Sequence, residues 1–144
     1  MTEQRRPPVI QRLRSIRPIW WRTAFVSYAV LLYVATHLPQ VHVSSEGAIP
    51  VDKQAHVGAY AIWTFLAIAA WPARRLNPLV ITAVCCLIAA VWAGFDEITQ
   101  ALPIVHRHAQ WSDWFADLVG VVLAGVIAGI AFQFMASAGE ADRA

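Results

Sequence analysis

Charge is the scarcest property of this sequence. Only 14% of its 144 residues are Asp, Glu, Lys or Arg, where a soluble domain carries roughly 25%. With 58% hydrophobic residues, that shortfall argues against an ordinary soluble domain and for an all-α integral membrane protein. Cysteine is nearly missing as well. Cys85 and Cys86 stand side by side in an apolar run, which suits helix packing better than a disulfide or a metal and gives no redox-compartment signal. Arg5-Arg6 lacks the rest of a twin-arginine signal, and Val34-Ala35-Thr36-His37 makes a poor cleavage site. No serine stands out as a nucleophile. Asp96-Glu97-Ile98-Thr99-Gln100 lacks the histidines of a zinc-protease helix.

What remains is four long apolar segments. They run from about Ile19 to Leu38, from Asp52 to Trp71, from Leu76 to Ala101, and from near Ser112 onward, with no charge between Leu118 and Gly139. At about 1.5 Å per residue, roughly 20 residues cross a hydrocarbon core of about 30 Å. Continuous segments imply helices rather than barrel strands, so the expected fold is a four-transmembrane-helix bundle. Residues 1–18 read as a basic cytoplasmic arm near anionic headgroups, 19–138 as the membrane domain, and 139–144 as a polar tail. The arm is short and leads straight into a membrane segment, so no nucleic-acid partner is expected. Asp52, with Pro50 before it, is the expected cap of the second segment. Trp20 and Trp21, beside Arg22, suit an interfacial anchor, and Trp111 with Trp114 an outer aromatic belt.

The charges are sorted by side. With the N-terminus inside, Arg5, Arg6, Arg12, Arg14, Arg17, Arg22, Arg74, Arg75 and Arg143 are cytoplasmic, and only Lys53 and Arg107 are outside. That asymmetry places both termini in the cytoplasm of a multi-pass protein of the bacterial inner membrane. The outer half then holds Glu46, Asp52, Asp96, Glu97, Asp113 and Asp117, together with all five histidines. Ionisable groups at membrane depth are costly, about 2.5–3.5 kcal/mol each on insertion scales, so they point to function.

Spacing brings these groups together. Asp52, His56 and Tyr60 recur every four residues and share one helix face. Trp92, Asp96 and Gln100 do the same, with Glu97 beside them. Asp113 and Asp117 share a face with Gly120, Ala124 and Ala128, whose small size lets a neighbouring helix come close. Three polar faces at one depth imply an outward-facing pocket. So many acids near Lys53 and Arg107 cannot all stay ionised in a low dielectric. Some are protonated, some pair with Lys53, Arg107 or a protonated His56, or a divalent cation is present. No motif implies a cofactor. His37, His42, His106 and His108 read as loop or rim residues outside the pocket. Read as a structural core residue instead of a catalytic one, His56 would bond Asp96 or Asp113.

Asp52-Lys53-Gln54-Ala55-His56 with Tyr60, Asp96-Glu97-Ile98-Thr99-Gln100, and Arg107 with Asp113, Asp117 and Gly120 resemble the VanZ-like family of small bacterial membrane proteins. The resemblance spans about Leu38 to Ala131. It departs at Asp117, where many members carry asparagine, and in the loop before Arg107, which lacks the glycine often found there. It implies a four-helix membrane protein of a family linked to reduced sensitivity to the glycopeptide teicoplanin. It does not supply a molecular activity.

Three functions are open at this point. One is a membrane-embedded enzyme acting on a lipid-linked or cell-envelope small molecule. His56, Asp96 and Glu97 are then the catalytic candidates, with Asp52, Lys53, Tyr60, Gln100, Arg107, Asp113 and Asp117 binding the substrate, and Lys53 and Arg107 suited to an anionic headgroup. The second is a headgroup or antibiotic binder without turnover. The third is a small proton- or cation-coupled transporter, for which the sequence shows little polar route inward. Membrane lipids are expected partners in each, and oligomeric state is not legible.

Overall fold

The computed structural model describes residues 18–38, 50–71, 76–105 and 110–141, and every regular element within them is helical. Helix α1 spans Pro18–Thr36, α2 Val51–Ala70, α3 Pro78–Gln100 and α4 Trp111–Ala141, with a 3-10 turn at Pro103–Val105. Residues 1–17 of the basic arm lie outside the described residues, as do His42, Glu46, Arg74, Arg75, His106, Arg107, His108 and Arg143.

The helix ends follow the chemistry of the residues there. Pro18 opens α1 at a position whose N–H would have no helical partner in any case. Asn77 caps α3, its side-chain oxygen accepting the Leu79 N–H at 2.8 Å, and Pro78 follows as the first helical residue. At α2 the expectation needs correction. Pro50 occupies the cap position with extended backbone, no side chain caps the helix, and Asp52 lies inside the first turn. Its charge there still faces the positive end of the helix dipole.

Helix α2 lies at the centre and touches the other three, packing most extensively on α4. Gly120 explains that intimacy. A methyl group there would overlap the Val57 carbonyl oxygen and come 2.9 Å from the Ala61 nitrogen, so the two backbones nearly touch. On the opposite flank, Phe25 of α1 meets Trp63 edge-on at 4.9 Å, and the Tyr28 hydroxyl donates to the Ala59 carbonyl at 3.0 Å. The apolar core gathers Tyr60, Trp63 and Ile68 of α2 with Ile81, Cys85, Ala89 and Ala93 of α3 and Val121 of α4.

Outside that core the surface is apolar. Leu87 and Val91 of α3 and Ile127 and Phe134 of α4 are each about two-thirds exposed, the reverse of what water selects. Three helices, over Ile19–Thr36, Pro78–Gln100 and Trp111–Met135, are long and apolar enough to cross a membrane. Helix α2 is not among them, since Asp52, Lys53, Gln54 and His56 crowd its start.

Candidate functional site

The polar residues that periodicity assigns to separate helix faces meet at one end of the bundle. They form two adjoining groups, joined through the neighbours Asp96 and Glu97 on α3 and through one turn of α2 between His56 and Tyr60.

The first group surrounds Asp96, which is 2% exposed. Its Oδ1 accepts the Thr36 hydroxyl at 2.9 Å, and its Oδ2 accepts Gln100 Nε2 at 3.1 Å and the Tyr60 hydroxyl at 3.4 Å. His37 Nδ1 approaches Oδ1 at 3.7 Å, while its Nε2 lies 3.0 Å from the Thr99 hydroxyl. Both oxygens of Asp96 are thus engaged. The group is closed and well satisfied, which suits holding α1, α2 and α3 in register.

The second group surrounds His56. Its Nδ1 lies 2.9 Å from Asp117 Oδ1, a hydrogen bond between α2 and α4. Its Nε2 faces Asp113 Oδ2 at 3.8 Å and Asp52 Oδ1 at 3.9 Å. Lys53 is ion-paired with Asp113 and lies 3.3 Å from Asp52. Glu97 Oε2 accepts the backbone N–H of Gln110 at 3.1 Å, tying the end of α3 to the start of α4. Here satisfaction is incomplete. Glu97 Oε1 and Asp117 Oδ2 are buried and have no hydrogen-bond partner among the described residues.

Beside Glu97 lies a cavity of about 400 Å³ between the end of α3 and the start of α4. Gly94, Ile98, Ala101, Gln110, Trp111 and Trp114 complete its lining. The wall is mainly apolar, with the Glu97 side chain as its acidic member. Trp114 is fixed there by its indole N–H, which donates to the Ala90 carbonyl at 3.3 Å. The neighbouring Trp111 ring, centred 6.0 Å away, is largely exposed.

Against the sequence reading, the structure brings together Lys53, His56, Tyr60, Asp96, Glu97, Gln100, Asp113 and Asp117. Asp52 joins at the rim, its side chain about half exposed. Arg107 lies outside the described residues. Two expectations change. His56 bonds Asp117 instead of Asp96 or Asp113, because α4 approaches α2 so closely at Gly120, one turn from Asp117. His37 belongs to the polar cluster instead of a rim, and Thr36 comes with it. Both sit at the end of α1, level with the end of α3, and that shared depth was the available signal.

Searches with this chain find no matching family model, no matching curated protein and no matching solved structure.

Proposed function

We propose that this chain is a four-span protein of the bacterial inner membrane, VanZ-like in its motifs. Its outward-facing pocket takes the headgroup of a lipid-linked or other cell-envelope amphiphile. Three helices meet the length and composition of a span. The fourth, α2, packs between them and exposes Ile62 and Phe65 on its outer side, and its polar start falls where the headgroup region would lie. The arginine bias of the chain puts both termini in the cytoplasm and the pocket outside.

One observation carries the reading: the mainly apolar cavity between α3 and α4 has Glu97 in its wall, backed by buried His56 and Asp117. A greasy slot ending in hydrogen-bonding and titratable groups fits a molecule with a tail and a polar head. Lys53 is a weaker headgroup ligand than its charge suggests, since Asp113 and Asp52 already neutralise it. Without an ion bound, His56, hydrogen-bonded to Asp117, and Glu97 remain the pair suited to moving a proton, with Asp96 held in its own closed network.

Two measurements test this. Purified protein should retain envelope lipid by native mass spectrometry, and Trp114→Ala should lose most of it; equal retention in both would sink the cavity assignment. A cysteine placed at position 111, in a Cys85→Ala, Cys86→Ala background, should react with a membrane-impermeant thiol reagent from outside intact spheroplasts. Labelling only after lysis would reverse the orientation. Glu97→Gln then separates an enzyme from a binder: turnover is lost in the first case, and lipid retention survives in both.

A further inference from the structure

We propose that His56, Glu97 and Asp117 bind one divalent transition-metal ion. Each residue comes from a different helix, and one ligand atom from each lies within 4.8 Å of the others. All three side chains are buried, at 8%, 6% and 1% exposure, so they are not a solvated acidic surface. One imidazole and two carboxylates form a mixed nitrogen and oxygen donor set that suits Mn²⁺ or Zn²⁺. Three protein ligands also leave a coordination position free.

The second observation is the pair of unpartnered oxygens. Glu97 Oε1 and Asp117 Oδ2 are the buried carboxylate atoms of this triad that no described donor reaches. An acceptor left bare in a low dielectric is costly, and a cation removes the cost. The acids nearby do not share that need. Asp96 is saturated by Thr36, Tyr60 and Gln100, and Asp113 is neutralised by Lys53.

The far side of His56 supports the same placement. A metal-bound imidazole ordinarily directs its other N–H at a carboxylate. With Nδ1 on the ion, Nε2 faces Asp113 Oδ2 and Asp52 Oδ1. Asp52, His56 and Asp113 could themselves gather round an ion, but the Lys53 ammonium already stands against both of those acids and opposes a second cation. The ion therefore belongs on the Nδ1 side. There it would give an acid-rich pocket the positive charge needed to meet an anionic headgroup. Ion binding itself does not require the headgroup reading.

The test uses the full chain, purified in detergent and stripped with chelator, titrated with Mn²⁺ in the absence of added lipid. The expected result is one Mn²⁺ per chain, with pulsed EPR showing nitrogen coupling from one imidazole in the unmodified protein. Glu97→Gln and Asp117→Asn, with helical circular dichroism unchanged, should each weaken binding at least tenfold and by more than Asp52→Asn, which removes only a carboxylate at the rim that helps orient His56. No stoichiometric ion, or an ion without imidazole coupling, overturns the proposal. So does binding that is lost in Asp52→Asn and kept in Glu97→Gln. The nitrogen coupling decides the matter even if a variant fails to fold. An ion bound normally by protein in which Trp114→Ala has abolished lipid retention would separate this site from the amphiphile reading.

Discussion

The two ends of the described bundle are made from the same helices and are held together by opposite means. At one end, α1, α2 and α3 enclose Phe25, Trp63, Ala67, Trp71, Cys85 and Ile88 around a second cavity of about 250 Å³. The contacts there are mainly dispersive and undirected, and Arg22 is the charged residue among the described ones lining the cavity. At the other end, Thr36, His56, Asp96, Glu97, Gln100, Asp113 and Asp117 are all buried. Each depends on a few specific partners, from the single backbone N–H on Glu97 to the three donors on Asp96. Apolar packing degrades gradually as volume is removed, whereas a buried polar group that loses its partner keeps its whole desolvation cost. The polar end should therefore be the brittle one, and the apolar end the forgiving one.

Substitutions along the bundle can break that contrast. Lys53→Met strands the buried Asp113 carboxylate and should destabilise by about 3 kcal/mol. Adding Asp113→Asn to the same chain should recover most of the loss, measured as a double-mutant cycle by denaturant titration in detergent. A single variant as stable as the parent would show that the ion pair holds nothing. Gly120→Ala, at the boundary between the two ends, forces α2 and α4 apart and should cost about 2 kcal/mol. It should also weaken Mn²⁺ binding, because Asp117 lies one turn away; an unchanged melting temperature would refute the close crossing. Gln100→Leu removes one donor from Asp96 and should cost about 1.5 kcal/mol. In the apolar end, Cys85→Ala should cost about 1 kcal/mol and leave metal binding and lipid retention as they were. If the cysteine variant proved more damaging than Gln100→Leu by thermal unfolding, the polar end would not be the brittle one.

Much of this architecture could be read along the chain, for identifiable reasons. The helices start within a residue or two of the expected Ile19, Asp52, Leu76 and Ser112, since the shift from polar to apolar residues that marks each start is local. The four-residue spacing of Asp52, His56 and Tyr60, and of Trp92, Asp96 and Gln100, places each set on one face whatever the neighbours do. Partner choice was harder to read. Asp52 looked like a cap and lies within the first turn, because the cap position falls two residues earlier, at Pro50. His37 looked peripheral and reaches Asp96, because α1 and α3 end at the same level.

Helical periodicity and the cost of bare backbone in lipid are local rules. They suffice for the all-helical character, the apolar surface and the placing of polar residues near helix ends. Which acid meets His56, which one Lys53 neutralises and which oxygens are left bare depend on the rotation of each helix about its own axis. That rotation is set where Gly120 lets α4 settle against Val57 and Ala61. It is a contact between residues some sixty positions apart, and no spacing within a single helix encodes it.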